Sequence, residues 1–301
     1  LLKHLVESAA RDGHVAIVAG VVEGDGVTTA AAGPAGGHTL FRIASLSKLF
    51  TGTALALAVV RGELSLDLSV RAALPARFGL PADPFDAIRL EHLATHRSGL
   101  PRGLDVAPDC AIEEYARALA RTKPVTAPGT SYAYSNLGAQ LVGMALRSTL
   151  PAQPDIVEQP NEEQQARTTS GHDEFGKPCE TPVYPLGVAS GGLYGSAEAL
   201  LHFAQAHWTT TDPQLEAALA LATEPRADAG EGNRIGLFWH IGAVPDGDGL
   251  HATWHNGSLP GYRSFLGIQP GRRRGVVVLS NTAKPVDAIG AKLLAGLAAS
   301  G

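Results

Sequence analysis

The chain has 301 residues, of which 45% are hydrophobic and 18% charged, with a formal net charge of −5 at pH 7. That length supports one large domain or two smaller ones with a substantial core, and the mild acidity gives no electrostatic footprint for nucleic acid. No apolar stretch reaches the ~18 residues needed to span a bilayer, so no stable membrane insertion is expected.

In chain order, residues 1–11 carry apolar side chains at Leu1, Leu2, Leu5, Val6 and Ala9, the pattern of one helical face. Residues 14–22 predict a strand, Glu23-Gly24-Asp25-Gly26 a turn, and residues 27–32 a returning strand. The middle of the chain changes character: helices are predicted over residues 47–61, 112–121, 137–147 and 197–207. Between them, residues 148–185 are rich in Pro, Gln, Glu and Thr without a period and predict a long surface loop, serving as a lid or mobile. Strands return at residues 253–255, 263–268 and 275–280, joined by Gly/Pro turns, and residues 286–299 predict a closing amphipathic helix. The run Arg272-Arg273-Arg274 then falls on a solvated hairpin tip. This order predicts an α+β fold: an antiparallel sheet flanked by N- and C-terminal helices, with a mostly helical region inserted. Residues 1–44 and 230–301 would form the sheet region, residues 45–229 the helical region, and the two together a single unit. A groove between them is a natural site.

The most informative segment is Phe41-Arg42-Ile43-Ala44-Ser45-Leu46-Ser47-Lys48, which runs into an apolar helix. If Ser45 opens that helix, Ser45 and Lys48 share a face. A serine hydroxyl needs a base to attack a carbonyl, and a lysine serves when burial or a nearby cation lowers its pKa. The backbone N–H of Ser45 at the helix start is available to a developing oxyanion. Alone, Ser-x-x-Lys is weak, because a serine there can equally be a helix cap. A second element, Tyr132-Ala133-Tyr134-Ser135-Asn136, sets a phenol and an amide two residues apart before a helix. A phenol near an ammonium can titrate low enough to relay protons, and the Asn136 amide can hold Lys48 and a substrate carbonyl. A third, Trp254-His255-Asn256-Gly257-Ser258, lies on a predicted strand. There Gly257 would admit a substrate backbone and the Ser258 N–H would complete the oxyanion hole.

Order and spacing together make the pattern specific. A helix-opening Ser-x-x-Lys, a loop Tyr-x-Asn about 90 residues on and a strand-borne His-x-Gly near the end resemble the class C β-lactamase, penicillin-binding-protein and D,D-peptidase-like serine hydrolases. Residues 93–101, Ser190-Gly191-Gly192-Leu193 and Gly261-Tyr262 agree with that resemblance, which covers almost the whole chain. It implies a β-lactamase/transpeptidase-like fold, Ser45 as nucleophile, Lys48 and Tyr134 as the base pair, and Asn136, His255, Gly257 and Ser258 on the substrate side. It implies no cofactor and no metal, a small-molecule substrate (a β-lactam, a D-amino-acid peptide or an ester), and a periplasmic or secreted location. The activity expected is acyl-enzyme hydrolysis of a β-lactam or D-alanyl-type amide. Small-ester hydrolysis and non-turnover penicillin binding, as in a sensor, are the alternatives.

Two departures stand out. His255-Asn256-Gly257 occupies the place where such β-lactamases usually carry Lys-Thr-Gly, and an imidazole anchors a carboxylate less strongly than an ammonium. The region after Met144-Ala145-Leu146-Arg147 is also shorter than in the resembled proteins. Cys110 and Cys179 lack CxxC or metal-type spacing and read as two unpaired thiols. His92 and His96 are four apart, but no third ligand accompanies them.

Overall fold

The computed structural model describes residues 1–146, 154–183 and 185–296. Among the described residues there are eleven strands: β1 Ile17–Glu23, β2 Gly26–Ala32, β3 Phe41–Arg42, β4 Ile156–Val157, β5 Tyr194–Gly195, β6 Ala227–Gly230, β7 Asn233–Ile235, β8 His240–Ala243, β9 His251–Leu259, β10 Tyr262–Gln269 and β11 Arg274–Ser280. Eight of them form one sheet in the order β2-β1-β11-β10-β9-β8-β7-β6, antiparallel at every described pairing, while β3, β5 and β4 form a small second sheet. The fold is α+β, as the alternation of elements predicts.

The all-apolar run of β11 follows from burial on both faces of the sheet. Successive side chains point to opposite sides: Val277 and Leu279 join the core shared with the inserted helices, while Val276 and Val278 face the terminal helices. Helix Leu2–Arg11 and helix Asp287–Gly296 cover that second face, contributing Val6, Ala9, Leu293 and Leu294. The rest of the predicted closing helix lies outside the described residues.

On the first face, helix Ser47–Val60 is enclosed almost all round, and every residue from Ser47 to Ala58 is buried. Its lack of an amphipathic pattern reflects this central position. Gly52 sits where a Cβ would come within 2.3 Å of the Leu237 carbonyl oxygen, so the helix passes directly against that backbone. Helices Ile112–Arg121, Asn136–Ala145, Ala197–Thr209 and Pro213–Thr223 surround it. The last of these, and strands β6 to β8, were not assigned by pattern. The strands are short or interrupted by Gly and Asp, and pairing in the sheet decides them, whereas the helix is set by its Asp212 N-cap and by burial of Ala218, Leu219 and Ala222.

One local expectation needs correction. The described part of residues 148–185 contains β4 and a helical turn, Glu162–Gln165, and it is tied down at both ends of its course. Arg167 forks onto Asp155 at 2.7 and 2.9 Å, the His172 N–H donates to the Asn281 carbonyl at 2.9 Å, and Thr181 donates to the Pro260 carbonyl. One bidentate ion pair and two hydrogen bonds thus anchor the described part of this stretch. The arginine run falls on the exposed turn between β10 and β11, as expected, and there Arg273 meets Asp25 and Arg274 meets Glu23, each at 2.8 Å, joining that turn to the β1–β2 hairpin. Cys110 and Cys179 are both free thiols.

Candidate functional site

Ser45 sits in a single 3-10 turn, Ala44–Leu46, that leads into helix Ser47–Val60. It therefore precedes the α-helix rather than opening it, and the helix has no side-chain N-cap. Ser47 holds the turn: its hydroxyl donates to the Ala44 carbonyl at 2.7 Å and accepts from the Leu193 N–H at 3.1 Å. Ala44 has φ of 51°, a conformation disfavoured for any residue with a Cβ, so the backbone is strained directly before Ser45.

Lys48, one turn on, is fully buried. Its Nζ lies 3.2 Å from Ser45 Oγ and donates to the Ser190 carbonyl at 2.5 Å. Burial pushes the Lys48 amine well below its ordinary pKa, and the positive charge of Arg102 adds to the effect. The Tyr134 hydroxyl donates to the same Ser45 Oγ at 2.9 Å. Burial pushes this phenol up to about 12, against the smaller opposing influences of the Ser45 hydrogen bond and Arg102. The expectation that an ammonium neighbour would pull the phenol down is thus corrected. Desolvation outweighs the charge: it keeps the Tyr134 phenol protonated at neutral pH and disfavours the ammonium form of Lys48. Lys48 Nζ also lies 5.0 Å from the Tyr134 ring centroid. A neutral amine at 3.2 Å can accept the Ser45 proton, whereas an ammonium cannot.

The other four candidates divide. Asn136 is the first residue of helix Asn136–Ala145, whose N-cap Ser135 accepts from the Gly138 N–H at 3.0 Å. Its side chain lines a cavity of about 590 Å³ together with Ser45, Ser190 and Ser258. Lys48 bonds to Ser45 and Ser190, and among the described residues no hydrogen bond joins it to Asn136. The β8 partner of β9 ends at Trp254, leaving residues 255–259 unpaired by it on that side and Ser258 facing the cavity.

Gly257 serves a different purpose from the one its type suggested. A Cβ there would meet Ser264 Oγ at 2.2 Å and Ala44 Cβ and the Ile43 carbonyl oxygen at 2.9 Å each. Its smallness lets β9 press against the Ser45 turn; no substrate is needed to explain it. His255 is buried and packed 5.1 Å from His240 and 6.2 Å from Tyr134 between ring centroids; like Lys48 and Tyr134, it does not line the cavity. Its Nδ1 lies 2.5 Å from the Asn256 carbonyl oxygen, which requires the proton on Nδ1 and leaves Nε2 as a buried acceptor without a partner. Burial, followed by His240 and Lys48, holds this imidazole well below its ordinary pKa.

The sequence model of the Beta-lactamase family matches residues 1–154 and 155–300. The chain belongs to the Beta-lactamase family. It is 28% identical over 298 residues to a beta-lactamase of Pseudomonas fluorescens, covering 82% of this chain and 81% of the relative. It is 27% identical over 320 residues to Esterase EstB of Burkholderia gladioli, covering 81% and 78%. The fold matches a Beta-Lactamase/D-Alanine Carboxypeptidase structure from Pseudomonas syringae with a TM-score of 0.88 at 19% identity, over 100% of this chain and 99% of the other. The protein is thus a Beta-lactamase-family serine hydrolase.

Within this Beta-lactamase-family site, sequence reasoning missed four participants. The Ser190 carbonyl that holds Lys48 is a backbone group and leaves no residue-type signal. Arg102 places its guanidinium carbon 5.1 Å from the Tyr134 ring centroid and lines the cavity, yet it follows Ser98-Gly99-Leu100-Pro101 with nothing local to mark it. His96 is buried, accepts from the Ser135 N–H through Nδ1 at 3.2 Å and lies 4.5 Å from the Tyr134 ring. His240 stacks on Trp254 at 4.7 Å and is pushed down to about 4 by burial and Lys48. His92, by contrast, accepts from the Arg89 N–H of its own helical turn and shares no site with His96. Among the described residues no helix is long and apolar enough to cross a membrane.

Proposed function

We propose that the protein hydrolyses a β-lactam or D-alanyl-type amide through an acyl-enzyme on Ser45. One observation carries the reading: Ser45 Oγ lies between the buried Lys48 amine at 3.2 Å, whose pKa burial lowers, and the Tyr134 hydroxyl at 2.9 Å. In the proposed reaction the Ser45 hydroxyl proton passes to the Lys48 lone pair as Oγ attacks the carbonyl carbon. The Ser45 and Ser258 backbone N–H groups stabilise the tetrahedral oxyanion. The C–N bond then breaks, and the leaving nitrogen takes the proton back from the Lys48 ammonium by way of the Tyr134 hydroxyl. Water attacks the ester with the same groups reversed, releasing the acid and restoring Ser45. Asn136 on the cavity wall orients the acyl side of the substrate. The family resemblance also supports a periplasmic or secreted location.

Small-ester hydrolysis is the second reading. The neutral, buried His255 offers no cation where the resembled β-lactamases carry lysine, and Esterase EstB is among the relatives. The test compares nitrocefin and p-nitrophenyl butyrate turnover by the native protein and Ser45→Ala, with mass-spectrometric labelling by a reactive β-lactam and a fluorophosphonate. Ser45-dependent nitrocefin turnover is the expected result. Ester turnover alone selects the second reading, and permanent β-lactam labelling without turnover makes the protein a penicillin-binding sensor. Activity that survives Ser45→Ala overturns the assignment altogether.

A further inference from the structure

Arg102 is the one cation among the described residues lining the cavity beside Ser45. Its position is built rather than incidental. The Ser135 hydroxyl donates to the Pro101 carbonyl at 2.7 Å, and the Asn136 and Leu137 N–H groups both donate to the Arg102 carbonyl, at 2.9 and 3.1 Å. Three hydrogen bonds thus stitch residues 101–102 to the turn that carries Tyr134 and Asn136. The guanidinium lies 5.1 Å from the Tyr134 ring centroid, and no carboxylate pairs with it among the described residues. Asp105 lines the same cavity but forms no ion pair with it. The other basic groups nearby are not available to an anion. Lys48 is buried and bonded to Ser190, His255 is buried and off the cavity wall, and Arg263 donates to the Leu259 and Tyr262 carbonyls.

We infer that Arg102 is the specificity residue of this site: it binds the carboxylate of an anionic acyl donor and so selects free acids over their neutral derivatives. This rests on the proposed Ser45 chemistry and names the substrate class within it. The cavity volume of about 590 Å³ is that of a site for a small molecule, with Ser45 and Arg102 both among its lining residues. A planar guanidinium with free N–H donors suits a carboxylate in bidentate geometry. The positive end of helix Asn136–Ala145, at the same edge, adds to the attraction. A carboxylate bound there also neutralises the charge that helps lower the Lys48 pKa, so free acids and neutral substrates should differ in pH profile as well as in rate.

Two substrate pairs test this and separate the two sources of such a carboxylate: nitrocefin against its methyl ester, and an acyl-D-alanyl-D-alanine peptide against its C-terminal amide. The native protein should prefer the free acid in at least one pair. Arg102→Gln should reduce that preference by ~10- to 100-fold, the range for a charge-assisted hydrogen bond partly open to solvent. Arg102→Lys should restore part of it and Arg102→Glu should reverse it. Gln leaves the Arg102 carbonyl and its two hydrogen bonds in place, so the fold is not at issue. Competition against fluorophosphonate labelling of Ser45 reads the same preference without turnover. A preference unchanged in Arg102→Gln, or free acids that protect labelled Ser45 no better than their neutral partners, overturns the inference while the Ser45 reading stands. Failure of Ser45 to label at all removes both.

Discussion

Gly257→Ala probes the contact between β9 and the Ser45 turn. The added methyl would sit 2.2 Å from Ser264 Oγ, and 2.9 Å from both Ala44 Cβ and the Ile43 carbonyl oxygen. Ser264 is buried and donates to that carbonyl at 2.8 Å, so rotating it away breaks the bond. The carbonyl keeps the Leu46 N–H at 3.2 Å, which limits this loss to an ordinary hydrogen bond of about 0.5–1.5 kcal/mol. Overpacking against the backbone adds about 1–3 kcal/mol. The expected destabilisation is therefore about 2–4 kcal/mol, read from urea unfolding. Relief of the backbone contacts moves Ile43 and Ala44, and Ser45 with them, so kcat/KM should fall ~10²-fold, as for a displacement near 1 Å. The double variant Gly257→Ala with Ser264→Ala removes the 2.2 Å contact but not the two at 2.9 Å. It should recover part of the stability and little of the activity. Native unfolding and native turnover in Gly257→Ala would refute the reasoning, because β9 would then not be pressed against the turn.

Lys48→Met should abolish turnover while shifting the pH dependence of stability. The Lys48 pKa is depressed on folding, so below its unfolded value of 10.5 the unfolded chain binds a proton that the folded chain does not. The native protein thus loses stability as pH falls from 10.5 towards the folded pKa, and the variant lacks this loss. Unfolding curves at pH 10 and pH 7 should therefore move in the variant's favour at the lower pH; a constant gap would mean that Lys48 is charged when folded. Tyr134→Phe removes the donor to Ser45 and the relay to the leaving group. Single-turnover acylation should slow by ~10²–10⁴-fold with the fold retained. Acylation at the native rate would take the phenol out of the mechanism.

Much of the site was legible because its groups are local. Ser45 and Lys48 share a helical turn, and Tyr134 and Asn136 share one loop, so spacing alone expressed part of the geometry. The fold class was legible for a similar reason: the terminal strands and the central helices carry strong periodicity or long apolar runs. Roles that depend on which residues meet across the fold were not. Gly257 looked like a residue opened to substrate, and only the antiparallel pairing of β9 with β10 sets it against Ser264, Ala44 and Ile43. His255 looked like an anchor, and only its burial makes it a neutral imidazole facing Tyr134 and His240.

The sequence by itself determined which residue types meet at the candidate site and the order in which they arrive along the chain. Tertiary structure decided their charge states and partners. Burying Lys48 and Tyr134 moves the amine down and the phenol up, and bringing residues 101–102 against the Ser135–Asn136 turn carries Arg102 to the cavity. Desolvation and long-range contact are properties of the packed chain, and no local pattern encodes them.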